Sequence, residues 1–174
     1  MNLFGPLSRA LALGGVLICA SALPVMAAPA DIALLKTYLG TWKGTGTLTG
    51  AQTNPVTCRM SLTSGNSDKV NYTGRCAIAG QSISVTGTIA YVDANQRYEA
   101  VMNSGVGGFR GVAIGKKSGN GIVFDLQQRA NDDAGNDISI ASKLTLTPKK
   151  IDVVFHATFN DTGDTIDAKI PFSM

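Results

Sequence analysis

Few side chains in this sequence are equipped for chemistry, and their placement narrows the choice further. There is one histidine, His156, and one glutamate, Glu99. His156 alternates with Phe155 and Ala157, so it shares a polar strand face with Asp152, Val154 and Thr158. A ligating histidine is normally buried and oriented by a second partner, so the expectation is a solvated surface residue. Hydroxyl–imidazole–carboxylate chemistry would have to start from that same histidine. No serine sits on the sharp strand-to-helix turn that exposes a nucleophile. With no positioned set of acid, base and metal ligands, the sequence predicts no catalytic residues, no metal site and a protein that is not an enzyme.

Three segments imitate ligand-binding motifs. Gly105-Val106-Gly107-Gly108-Phe109-Arg110-Gly111 has the glycine density of a dinucleotide fingerprint, but that fingerprint opens a helix and none follows. Gly115-Lys116-Lys117-Ser118 imitates the end of a P-loop, yet Arg110 stands where the first glycine belongs and Lys117 where Ser or Thr belongs. Both read as turns. Residues 131–137 are acidic, but their spacing does not match a Ca²⁺ loop with its terminal Glu, and Asp, Asn and Gly suit a hairpin turn. Asp161, Asp164 and Asp167 read the same way.

The cysteines and the N-terminal residues point to export. Arg9 supplies a positive start, Leu11–Leu23 an apolar run, Pro24 a break, and Val25-Met26-Ala27 small residues before Ala28. The run is shorter than the ~20 residues a membrane-crossing helix needs. Residues 1–27 are therefore read as a signal peptide cleaved before Ala28, and residues 28–174 as a single β-barrel domain without a membrane span. Cys19 leaves with the signal peptide, and Cys58 and Cys76 remain as an even pair. Such a pair in an oxidising compartment predicts a disulfide, contributing on the order of 3 kcal/mol by restricting the unfolded chain. The expected location is the periplasm, or the medium if secreted. Without Arg9, fourteen basic residues face twelve acidic ones, a net charge of +2. That is too weak and dispersed to imply a nucleic-acid partner.

The elements that must position these residues are almost all strands. Residues 31–39 (DIALLKTYL) carry the one helical pattern, with Asp31 as cap, Ile32, Leu35 and Leu39 on one face, and Gly40 as the stop. After Gly40 the hydrophobic period becomes two. Ten candidate strands follow, at 41–49, 56–63, 69–78, 82–92, 97–103, 109–116, 121–129, 137–146, 150–159 and 165–172. Short links make hairpins, hairpins in series make a meander, and closure removes its edges. The predicted fold is all-β: a single up-and-down antiparallel β-barrel of about ten strands with a short N-terminal helix. If Cys58 lies opposite Cys76, then Val56 meets Ile78, Met60 meets Gly74 and Leu62 meets Tyr72, which keeps the apolar residues on one face. An outer-membrane barrel would instead point Arg59, Arg75, Glu99 and Lys143 into a polar lumen. Aromatics at 6% are too few for two interfacial girdles, and the disulfide would face lipid, so the apolar face is assigned to the interior.

The segment Leu39-Gly40-Thr41-Trp42-Lys43-Gly44-Thr45-Gly46-Thr47-Leu48 resembles the opening of lipocalin and calycin barrels, in which a short helix runs into Gly-x-Trp and the Trp plugs one end. Its Gly-Thr-Trp-x-Gly-x-Gly string is similar to that of nitrobindin-like proteins, ten-stranded barrels that bind haem. That resemblance implies a haem-ligating histidine near the start of the last strand. Residues 164–170 contain none, and the other axial atoms on offer belong to Met60, Met102, Tyr72, Tyr91 and Tyr98.

Ten strands enclose a wider space than eight, and glycines at 44, 46, 74, 87 and 111 remove filling atoms from the inner face. The expected function is an exported, non-enzymatic barrel binding a small apolar ligand, its cofactor unspecified. The ligand-binding residues are expected to be Trp42, Met60, Tyr72, Tyr91, Tyr98, Met102, Phe124 and Phe155. The alternative is a structural or interaction protein of the cell envelope without a ligand. A cavity separates the two, because small-molecule sites typically occupy ~300 Å³ or more.

Overall fold

The computed structural model describes residues 29–105, 108–132 and 134–174, so the signal peptide read over residues 1–27 lies outside them. Helix α1 (Pro29–Lys36) leads into β1 (Gly40–Thr49), β2 (Thr53–Ser64), β3 (Val70–Ile78), β4 (Gln81–Val92) and β5 (Arg97–Ser104). The chain continues through β6 (Arg110–Ser118), β7 (Gly121–Asn131), β8 (Asp137–Thr147), β9 (Lys150–Phe159) and β10 (Thr165–Ser173). Each strand pairs antiparallel with its neighbours in sequence, and β1 also pairs with β10, so the barrel closes and no edge is left unpaired.

Cys58 and Cys76 form a disulfide across β2 and β3. The register runs Val56↔Ile78, Cys58↔Cys76, Met60↔Gly74 and Leu62↔Tyr72, which is the pairing the cysteines imply. Alternation then places the apolar residues inside. Trp42, Phe124, Ile122, Val70 and Ile151 are fully buried, and no described polar or charged residue is. Lys, Arg, Asp and Thr side chains cover the exterior, the reverse of a lipid-embedded barrel with its apolar outer band.

Two expectations need correction. The helix starts at Pro29 and ends at Lys36, so Asp31 lies inside it rather than capping it, and Gly40 opens β1 instead of stopping a helix. Proline suits the first turn of a helix because its missing N–H would be unsatisfied there anyway. A bend then carries Tyr38 into the core. Gly115–Ser118 is not a turn but the end of β6. A Cβ at Gly115 would lie 2.5 Å from the Phe124 ring, so this glycine makes room for an aromatic side chain. The reversal comes one step later at Gly119, whose φ of +58° favours glycine.

Candidate interior binding site

The barrel is plugged at one end. Trp42 Nε1 donates to the Tyr38 carbonyl at 3.0 Å, fixing the indole beneath α1. Tyr98 packs edge-on to Tyr91 and Phe124, and its hydroxyl donates to Asp31 at 2.5 Å, tying β5 to the helix. Tyr38 reaches across to the Leu146 carbonyl at 3.4 Å. The Trp42 indole and the Tyr38 and Tyr98 hydroxyls therefore each have a partner, as buried Tyr and Trp require. Burial, then the hydrogen bond to Asp31, pushes the Tyr98 hydroxyl far above its ordinary pKa.

Inside the barrel lies a cavity of about 170 Å³. Met60 on β2, Tyr72 and Gly74 on β3, Met102 on β5, and Ser142 and Leu144 on β8 shape it, with the disulfide alongside. A second void of about 50 Å³ shares Tyr72, Met102, Ser142 and Leu144 as walls. The polar atoms here are already engaged. The Tyr72 hydroxyl donates to the Val101 carbonyl at 3.0 Å, and Ser142 Oγ to the Val154 carbonyl at 3.2 Å. Burial raises the Tyr72 hydroxyl well above its ordinary pKa and keeps it neutral. The cavity thus presents hydrocarbon and sulfur, soft surfaces that adapt to an apolar guest.

The glycines explain why the cavity sits where it does. At four of the five inner-face positions the missing side chain is replaced by close packing. Phe172 occupies the space beside Gly44, the Lys169 carbonyl that beside Gly46, the Tyr72 ring that beside Gly87, and Leu126 with Phe109 that beside Gly111. Only at Gly74 is the nearest atom as far as 3.8 Å. The expectation that all five hollow out the interior is corrected: one does.

Of the eight residues expected to bind a ligand, Met60, Tyr72 and Met102 line the cavity. Trp42, Tyr98 and Phe124 are buried in the plug, with Tyr91 packed against it. Phe155 stands beside the cavity's level, opposite Ser142 and Ala168, and is not part of the wall. Ser142 and Leu144 are not among those eight residues, and neither is Gly74, which the sequence places on the inner face only as a glycine that removes filling atoms. Gly74 was within reach, because the cysteine register places it directly across from Met60.

His156 lies on the exterior. Its Nδ1 is 2.7 Å from Asp167 Oδ1, and its Nε2 is 3.2 Å from Thr158 Oγ1, a hydroxyl–imidazole–carboxylate line. The imidazole and the carboxylate are respectively 45% and 57% exposed, so solvent rather than a shaped site surrounds them. The 131–137 turn is held by Asp132, which accepts from the Ala134 and Asn136 backbone N–H groups. The bond from the Asn136 side-chain amide, and then those from the backbone, hold its carboxyl below the usual range. No cluster of three metal-ligating side chains occurs among the described residues. Haem does not fit this interior: the chain's one histidine faces out, and about 170 Å³ is well short of the ~300–1,000 Å³ usual for drug-sized and cofactor sites.

The sequence matches no protein-family model, and it matches no curated protein. In structure the chain is similar to Rv2717c from M. tuberculosis, with a TM-score of 0.62 and 13% identity over 80% of this chain and 94% of that one. It is also similar to the S-type phycobiliprotein lyase CPES from Guillardia theta, with a TM-score of 0.50 and 10% identity over 82% of this chain and 90% of that one. At such identities the likeness is one of fold. The class defined is the small, closed, ten-stranded antiparallel β-barrel with one helix.

Proposed function

We propose that this protein is an exported, non-enzymatic barrel that holds a small apolar molecule, or the apolar part of a larger one, beside Gly74. The cavity is the observation that carries this reading. It interrupts an otherwise dense interior, its polar neighbours are satisfied, and its walls combine two methionines with a disulfide. An empty apolar void costs stability, on the order of a few kcal/mol for one of this size. At about 170 Å³ the cavity falls below the ~300 Å³ typical of small-molecule sites, but a cavity of about 150 Å³ accepts a benzene-sized guest, so the guest is limited to one ring or a short branched chain. The disulfide supports an oxidising compartment, in keeping with removal of residues 1–27.

Native mass spectrometry of the protein expressed with residues 1–27 and recovered from an oxidising compartment tests this. The expected spectrum has an N-terminus at Ala28, a chain two hydrogens light, and an added small mass that leaves on denaturation. A bare mass from every preparation would instead favour a structural role.

A further inference from the structure

A second concave feature lies on the outside of the barrel, where β1 meets β10. Pairing runs through Lys43↔Ser173 and Gly44↔Phe172 and resumes at Thr47↔Lys169. In the interval Pro171 has no N–H to donate, and Gly46 approaches the Lys169 carbonyl so closely that a Cβ would lie 2.1 Å from it. An external groove of about 980 Å³ lies beside this interruption and extends over β2 and β3, and Lys43, Arg59, Arg75, Lys149 and Lys150 are among the residues that line it. Five of the chain's fifteen cations thus face one groove, although the whole chain is nearly balanced at +3.

Their arrangement is costly without a partner. Lys43 lies directly opposite Arg59, and Arg59 directly opposite Arg75, so three like charges stand in a row across β1, β2 and β3. Like charges so placed repel, and neighbouring strands are only about 4.8 Å apart. Among the described residues, no carboxylate lines the groove. Lys150 is paired with Asp152 at 2.9 Å, whereas Lys43, Arg59, Arg75 and Lys149 form no ion pair with a described residue.

We infer that this groove binds a linear phosphate-bearing polyanion laid across the strands. A row of evenly spaced cations matches a chain of repeated charges, and two guanidinium forks suit phosphate oxygens. The concave shape fits a chain better than a flat bilayer, and no large exposed apolar side chain lines it to anchor in lipid. Its aromatic residue, Phe172, is 5% exposed and belongs to the core, so no ring is offered for nucleobases to stack on. The groove lies on the opposite side of the barrel wall from the interior cavity, and Cys58, Arg59 and Phe172 border both.

Titration calorimetry with linear inorganic polyphosphate at low salt tests the assignment. Arg59→Gln/Arg75→Gln is expected to weaken binding at least tenfold, and added salt to weaken it further. Lys116→Gln/Lys117→Gln, which removes the same charge at the end of β6, is expected to change it less than twofold. Lys43→Gln, a single exposed substitution, is expected to weaken binding severalfold and serves if the double variant does not fold. Absence of polyphosphate binding, equal losses in the two double variants, or binding only to phosphatidylglycerol vesicles would each overturn the inference.

Discussion

The plugged end of the barrel and the level of the cavity are built from the same ten strands, yet they are packed on opposite principles. At the plug, Trp42, Tyr38, Tyr98 and Phe124 fill the cross-section, and each indole or phenol polar atom is tied to a carbonyl or to Asp31. At the cavity, Met60 has Trp42 as its partner on β1 but a glycine, Gly74, on β3, and flexible Met102 lines the same space from β5. Rigid, directional aromatics fix the closure of the barrel. Unbranched methionines, which repack at low cost, surround the space that would receive a guest. Stability and binding are therefore assigned to different levels of one interior.

Substitutions at the two levels should differ in sign as well as in size. Trp42→Ala is expected to be the most damaging, costing about 3–5 kcal/mol in chemical denaturation, because a fully buried indole leaves a cavity in a dense plug. Removing the disulfide as Cys58→Ala/Cys76→Ala should follow at about 3 kcal/mol, since it releases a loop with a sequence separation of 18. Tyr98→Phe deletes one hydrogen bond to the helix and should cost about 1 kcal/mol. Gly74→Val should reverse the sign, stabilising by about 0.5–1 kcal/mol, because its Cβ has room and valine suits a strand. Equal destabilisation by Trp42→Ala and Gly74→Val would erase the distinction between the levels.

The gentlest probe is alkaline titration. Burial raises both Tyr72 and Tyr98 above the ordinary tyrosine value of about 10. A raised acid contributes stability that is fully present below the unfolded pKa and is lost as pH climbs towards the folded one. Phenolate absorbance should therefore lag behind that of free tyrosine above pH ~10 and appear with unfolding. Tyr98→Phe should remove part of that lag at the plug and leave the contribution of Tyr72.

The strands were legible because period-two alternation recurs in ten segments joined by short turns, and the cysteines set one register that propagates round the barrel. Position along the barrel axis was not legible. Alternation says that Trp42, Met60 and Phe155 face inward, but not which of them plug, line or flank a void. Nor does a glycine reveal whether its space is empty. Gly44 and Gly74 look alike in sequence, yet Phe172 fills one while the other is open. The cationic groove was hidden for a related reason. Lys43, Arg59 and Arg75 are sixteen residues apart in each step, and only strand register aligns them.

The central claim, that the space beside Gly74 accepts an apolar guest, is tested most directly by the methionine methyl resonances of the protein. Met60 and Met102 line the cavity, whereas Met174 is 64% exposed and serves as an internal control. Benzene should shift the Met60 and Met102 methyls saturably, leave Met174 in place, and do neither in Gly74→Val. Methyls that do not move, or that all move alike and continue to do so in Gly74→Val, would contradict it.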